Sequence, residues 1–440
     1  MKKRMIFLLL SLALLCQMRT GAAAQDGENG GGPFSDVSEN AWYAGYVGRL
    51  AAAGVVGGYE DGSFRPAETV TWGQALKLIL RASGFPEKEP EAGGHWASGY
   101  LRFAKGRGFP VPDARELDEA VTRFDVADLT AAALELNGIT GSGIFTDTAR
   151  PGPAALYAAG IMEGELDAAG RRIYRGGDPL SRAEACAVLT RVLDYVDDNF
   201  VFVGAQRAPV NLSLSRSDYD PAAFHTASNG RVYYSDPDYT VRYGIDVSYY
   251  QGDVDWKRVA ADGVEFAIVR CGFRGSAKGS LNEDVKFREY IEDALEAGLD
   301  VGVYFFSQAV TPEEAREEAR YTLDLIRGYR ITLPVVFDWE QLTNAGSRTK
   351  NPDWAAVTDC AVAFCETVAA AGYTPMTYFN KSMAYLHLDM NRLSGYDAWL
   401  AWYHPVPDYI YEYQMWQYGS SGSVDGIRGD VDMDILFVRK

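Results

Sequence analysis

The sequence is poor in histidine and cysteine, and it has no excess of positive charge. Only four histidines occur in 440 residues, His95, His225, His387 and His404, and they are scattered. No cysteine and histidine grouping has the spacing of a zinc site, and nothing supports a serine–histidine–aspartate triad. Neither a metal nor another cofactor is expected. Lysine and arginine number 42 against 60 acidic residues, a formal net charge of −18. So acidic a chain is a poor electrostatic match for nucleic acid, but its charge excludes nothing about a sugar-based ligand. After the N-terminus no apolar run is long enough to cross a bilayer, which takes about 18 residues, so the mature chain is expected to be soluble and without a membrane span. Four cysteines lie in the mature chain, Cys186, Cys271, Cys360 and Cys365. Cys360 and Cys365 share one apolar helical face with Val357, Phe364 and Val368, which reads as free core cysteine rather than as disulfides.

What is present is an ordinary globular balance, 47% hydrophobic and 23% charged, in a chain long enough for two or three domains. That excludes a largely disordered or collagen-like protein. Residues 2–4 are Lys-Lys-Arg, an apolar run spans Met5 to Cys16, and Ala22-Ala23-Ala24 precede Gln25. This is the pattern of a secretory signal peptide over residues 1–24. Cys16 lacks the small neighbours of a lipoprotein signal, so no lipid anchor is expected. Removing Lys2, Lys3, Arg4 and Arg19 takes the net charge from −18 to −22.

Residues 34–197 repeat themselves. Ala52-Ala53-Gly54-Val55-Val56-Gly57-Gly58 is echoed by Ala158-Ala159-Gly160-Ile161-Met162-Glu163-Gly164, and Phe64-Arg65-Pro66 by Tyr174-Arg175-Gly176. Thr71, Thr122 and Ser181 each open a helix with an amide or acid three residues on, the signature of a capping box. The units, about 34–84, 95–138 and 145–197, each read helix, glycine turn, short loop, helix. Phe34-Ser35-Asp36-Val37 with Trp42, Tyr59 to Pro66, and Ser181-Arg182-Ala183-Glu184 resemble S-layer homology repeats. The resemblance implies a helix-dominated domain that binds a secondary cell-wall polysaccharide in grooves between repeats. It makes Arg182 and Arg123 the candidate polymer contacts, since a guanidinium suits a carboxylate-bearing sugar. The first repeat departs, with Trp72 at the arginine position. The plainer reading is that Thr or Ser caps a helix and the arginine is solvated. Residues 198–240, rich in Ser, Asn and Asp, read as a linker packing partly on its neighbours.

From residue 241 the pattern becomes α/β. Eight short apolar runs recur, at 243–247, 266–271, 301–306, 333–337, 376–379, 398–402, 413–418 and 433–438. Amphipathic helical patterns fall between the earlier ones, around Phe287 to Leu295, 312–328 and 353–371. Strands alternating with helices, and long helices after only the first four or five, predict a (β/α) TIM-like barrel with an incomplete helix ring. Chemistry in such a barrel sits at the C-terminal strand ends. There Asp338 and Glu340 stand two apart, so an extended chain points both into the mouth and turns Trp339 away. Paired carboxylates in a low-dielectric cleft supply one proton donor and one anion at neutral pH, which is what cleaving a glycosidic bond needs.

Gly244-Ile245-Asp246-Val247-Ser248 with Gln251-Gly252, Asp338-x-Glu340, Tyr378 with Asn380, Trp399 to Tyr403, Trp416-Gln417-Tyr418 and Val431-Asp432 resemble glycoside hydrolase family 25 lysozymes over 241–440. The resemblance implies a flattened barrel that cleaves the β-1,4 bond between N-acetylmuramic acid and N-acetylglucosamine in peptidoglycan. Glu340 is then the general acid/base and Asp338 the stabiliser of the transition state, through the substrate's own acetamido group or otherwise. Asp246 and Asp432 complete the catalytic set, and Tyr304, Tyr378, Asn380, Tyr403 and Trp416 are candidate sugar contacts. Asp434 stands where asparagine is common in the family, which adds negative charge. Together the halves describe an exported, wall-anchored muramidase acting at a bacterial cell surface, where tethering raises the local substrate concentration. A wall-binding barrel without catalysis and a glucosaminidase are the alternatives.

Overall fold

The computed structural model describes residues 33–136 and 143–440, so the export signal expected over 1–24 lies outside the described residues. The chain divides into two units, Met1–Val210 and Asn211–Lys440. Among the described residues no helix is long and apolar enough to cross a membrane. Cys186, Cys271, Cys360 and Cys365 are free and buried.

Among its described residues the first unit has six α-helices: α1 Ala44–Ala52, α2 Trp72–Ala82, α3 Ser98–Gly106, α4 Arg123–Ala133, α5 Pro151–Ala158 and α6 Arg182–Asn199. Capping boxes start α2 (Thr71 with Gln74), α4 (Thr122 with Asp125) and α6 (Ser181 with Glu184). Each satisfies backbone N–H groups that a helix start leaves without partners. One continuous core, including Leu50, Leu76, Leu129, Leu156 and Val192, joins the helices. The capped starts also dock on one another in a cycle. Trp72 and Gly73 donate their backbone N–H to the carbonyls of Glu119 and Leu117, Arg123 and Phe124 to Asp178 and Gly176, and Arg182 and Ala183 to Glu68 and Pro66. The three segments thus close into a ring.

The stretch expected as one linker, 198–240, divides between the units. Helix α6 runs on to Asn199, and a hairpin of Phe200–Val203 with Gln206–Pro209 completes the first unit. Residues 211–240 belong with the second. Tyr219 donates to the Tyr413 carbonyl at 2.6 Å, and Phe224, in a hairpin with Val232–Tyr234, meets Trp416 edge-on.

The second unit is an eight-stranded barrel of mixed α/β construction. Its strands are β1 Tyr239–Val247, β2 Phe266–Arg274, β3 Asp300–Ser307, β4 Val335–Trp339, β5 Pro375–Asn380, β6 Asp397–Ala401, β7 Met415–Gly422 and β8 Val431–Arg439. Strands β1 to β7 pair in order and in parallel. The eighth departs from that pattern, lying antiparallel to both β7 and β1 and closing the barrel. The loop 423–430 is too short for a parallel crossover, which needs about a dozen residues, so β8 must turn straight back. Helices α7 Trp256–Ala261, α8 Phe287–Glu296, α9 Pro312–Leu325 and α10 Trp354–Ala370 follow β1 to β4, two short helices follow β5, and none follows β6 or β7.

Strand alternation sorts the side chains. Ala267, Val269, Val301 and Val335 face the helices and share a core with Phe287, Ala319 and Phe364. Phe266, Ile268, Tyr304, Val336, Met376, Trp399, Met415 and Leu436 form a separate cluster that fills the barrel. Gly244 belongs to this filling, because a Cβ there would stand 2.3 Å from the Phe266 ring. Two residues further along five of the strands the interior turns polar. Asp246 follows Gly244, Arg270 follows Ile268, Asp338 follows Val336, Tyr378 follows Met376 and Gln417 follows Met415. On β8, which runs the other way, the order is Leu436, Asp434, Asp432, so its acids reach the same end.

Candidate active site

That polar end opens into a cleft of about 250 Å³. Asp246, Asp338, Glu340, Asp432, Tyr304, Tyr378 and Tyr403 all line it, so the structure gathers seven of the nine residues expected there. Asn380 and Trp416 fall elsewhere. Asn380 caps a short helix by accepting from the Met383 N–H at 3.0 Å. Trp416 lies one position out of phase with Met415 and Gln417, so it faces outward, is fully buried and donates to the Trp402 carbonyl at 2.9 Å. Trp339 likewise faces outward, against Trp354, and donates to the Ala309 carbonyl at 3.0 Å.

The carboxylates form one electrostatic cluster. Burial, together with the charges of Glu340 and Asp246, holds Asp338 well above the usual carboxylate range, while Arg270 opposes the rise. Burial and Asp432 do the same to Asp246, against a hydrogen bond from Gln417. Burial pushes Asp432 up to about 6. Glu340 stands at the mouth, open to solvent on the cleft side and enclosed on the others. Its carboxyl is raised by that enclosure and by Asp432. Asp434, below Asp432, is raised strongly by burial and by Asp246 and Asp432, and it accepts from the Trp399 indole at 2.9 Å. Carboxylates this close cannot all ionise, so the cleft holds protons at a pH where free carboxylates have lost theirs.

Two glutamines missed in the sequence organise this cluster. Gln417 Nε2 donates to Asp246 at 2.6 Å, while its Oε1 accepts from Tyr378 at 3.0 Å and Tyr403 at 2.8 Å. Gln308, fully buried at the start of the loop after β3, donates to the Glu340 carbonyl at 2.8 Å and accepts from Thr349 at 2.6 Å. The first was legible from the alternation that puts Met415 inside, and the second had no signal. Arg270 and Tyr250 also line the cleft without having been expected there.

In the first unit a groove of about 210 Å³ is lined by Trp42, Arg123, Glu163, Glu165, Glu184 and Arg191 among others. Arg123 reaches it while donating to the Tyr174 carbonyl at 3.1 Å. Arg182 does not. It is buried, lies over the Phe64 and Tyr59 rings and donates to the carbonyls of Phe64 at 2.8 Å and Gly57 at 3.1 Å.

The family model of glycosyl hydrolases family 25 matches residues 245–427, and that of the S-layer homology domain matches residues 33–76. The chain is 27% identical over 206 residues to the uncharacterized protein YegX of Escherichia coli K12, covering 45% of this chain and 70% of the relative. It is 26% identical over 202 residues to lysozyme M1 of Streptomyces globisporus, covering 43% and 65%. The middle cell wall protein of Brevibacillus brevis is 30% identical over 108 residues, covering 24% of this chain and 10% of that protein. The chain thus spans between a tenth and 70% of these relatives.

Proposed function

Residues 245–427 are a glycosyl hydrolases family 25 domain and residues 33–76 an S-layer homology domain, and on that premise we propose that the chain is a cell-wall-associated muramidase. It hydrolyses the β-1,4 bond between N-acetylmuramic acid and N-acetylglucosamine in peptidoglycan, for remodelling or turnover of the wall it is anchored to. The observation that carries this reading is the convergence of Asp246, Asp338, Glu340 and Asp432 in one cleft at the end of a closed barrel. Residues 34–197 are three S-layer homology repeats that hold a secondary wall polysaccharide, residues 1–24 direct export, and the barrel is a TIM-like barrel with an incomplete helix ring. The name lysozyme borne by one relative and the wall-protein name borne by another agree with this division of labour.

In this mechanism Glu340 protonates the glycosidic oxygen as the bond to the anomeric carbon breaks. Asp338 holds the acetamido group of the same sugar so that its carbonyl oxygen meets the developing positive charge. The ionised Glu340 then takes a proton from the incoming water. Gln308 fixes the backbone of the acid, and Gln417 fixes Asp246 and two tyrosine hydroxyls around the sugar.

The test is release of soluble fragments from purified peptidoglycan by the mature chain and by Glu340→Gln, with borohydride reduction of the products. Reduced muramic acid ends from the parent, formed about 10²- to 10⁴-fold more slowly by the variant, are expected. Reduced glucosamine ends would reassign the bond. Co-sedimentation with walls and no release from any of them would overturn the catalytic reading.

A further inference from the structure

Among the described residues lining the cleft, Arg270 is the single cation, set against four lining carboxylates. It lies 8% exposed in the middle of β2, two residues beyond Ile268. Its anchor is Asp284, which is 1% exposed. Arg270 Nε donates to Asp284 Oδ2 at 2.7 Å, and the aspartate is held by the backbone N–H groups of Tyr249 at 3.2 Å and Lys286 at 2.9 Å. The guanidinium carbon sits 5.0 Å from the Tyr249 ring centroid and 5.5 Å from that of Tyr250. Tyr250, 73% exposed, lines the same cleft.

This cation has donors to spare. A guanidinium offers five N–H groups in a fixed fork, and Asp284 accepts one of them. Nη2 approaches the same aspartate oxygen off the N–H direction, is buried and makes no hydrogen bond. A buried donor without an acceptor is costly, so a group that supplies one here gains free energy that solvent does not provide. The fork matches a carboxylate, and the exposed Tyr250 face beside it gives the carbon skeleton of an acidic sugar or amino acid a surface to lie on. In a cleft otherwise negative, an anionic substrate can approach only where this charge offsets the rest.

Resting on the reading of the chain as a peptidoglycan hydrolase, we propose that Arg270, with Tyr250, is an anion-recognising subsite that takes a carboxylate borne by the glycan beside the scissile bond. That carboxylate is either the lactyl group of peptide-free muramic acid or an acidic group of an attached peptide stem.

The experiment measures binding by calorimetry to the mature chain carrying Glu340→Gln, so that no turnover intrudes. Three probes are used: glycan oligomers stripped of peptide, the same oligomers with the lactyl carboxylates converted to neutral amides, and oligomers bearing stem peptides. Adding Arg270→Gln is expected to weaken binding about tenfold or more for a carboxylate-bearing probe, and to leave the neutral oligomers unchanged. Loss on the stripped oligomers alone identifies the lactyl source, and loss on the stem-bearing oligomers alone identifies the peptide. Arg270→Lys keeps the charge and recovers part of the affinity; it is the variant to judge by if Arg270→Gln shows no cooperative melting. Equal loss on all three probes, or none on any, overturns the subsite. A parent chain that binds no probe overturns the subsite and the functional reading together.

Discussion

Asp246 and Asp432 stand directly opposite one another on the two antiparallel strands that close the barrel. Like charges in that position repel, and both carboxyls are held above their ordinary range, Asp432 at about 6. Asp434, opposite Gly244, extends the same acidic row inward.

A carboxyl whose value is raised in the folded chain binds protons that the unfolded chain releases. The contribution of these cleft carboxyls to stability is then greatest in acid and falls as pH rises from the ordinary carboxylate range through about 6 and beyond. Asp434→Asn removes one of these charges while keeping an acceptor for Trp399. It should raise the barrel's melting temperature at pH 8 and leave it unchanged at pH 4. Calorimetry at both values checks this, and a variant destabilised at pH 8 contradicts it.

Glu340→Gln should lower hydrolysis by about 10²- to 10⁴-fold, the usual share of a general acid, with wall binding intact. In the parent, turnover should fall on the alkaline side as Glu340 loses its proton. Its midpoint should lie above the ordinary glutamate value, because enclosure and Asp432 raise it. A turbidity assay across pH reads both effects.

Gln417 touches Asp246, Tyr378 and Tyr403 at once. Gln417→Ala should cost roughly 100-fold in kcat, since loss of positioning has effects of that order. It should also move the pH profile upward, because Asp246 loses the hydrogen bond that lowers it. A fall in stability with an unmoved profile would assign the residue to packing alone.

Arg182 and Arg123 should separate. Arg182→Ala leaves the carbonyls of Phe64 and Gly57 without their donors, at about 1–3 kcal/mol each. It should lower the melting transition of the first unit. Arg123→Ala, at the lined groove, should chiefly weaken co-sedimentation with walls. Calorimetry and sedimentation of the full chain distinguish the two.

The eight barrel strands were legible because each is a buried apolar run, and Asp338 and Glu340 because they stand two apart at the end of one. Capping boxes announced α2, α4 and α6 for an equally local reason. Trp416, named by the family resemblance, faces outward because strand phase assigns the inward place to Gln417. Gln308 and the fate of Arg182 were beyond reach, since their partners, Thr349 and Phe64, lie 41 and 118 residues away. The reversed direction of β8 was present in the shortness of its loop, but only once β7 and β8 were known to be neighbours.

The docking of each capped start on the next segment has a consequence for how the first unit can change. A stack of repeats can lengthen or shorten at its ends, because interior units meet neighbours of one kind and terminal ones are caps. A cycle of three has no ends. Deleting any one segment strips a docking partner from both survivors at once, and a fourth could enter only by prising an existing junction apart. The unit is thus set to count to three, changing only in whole triads.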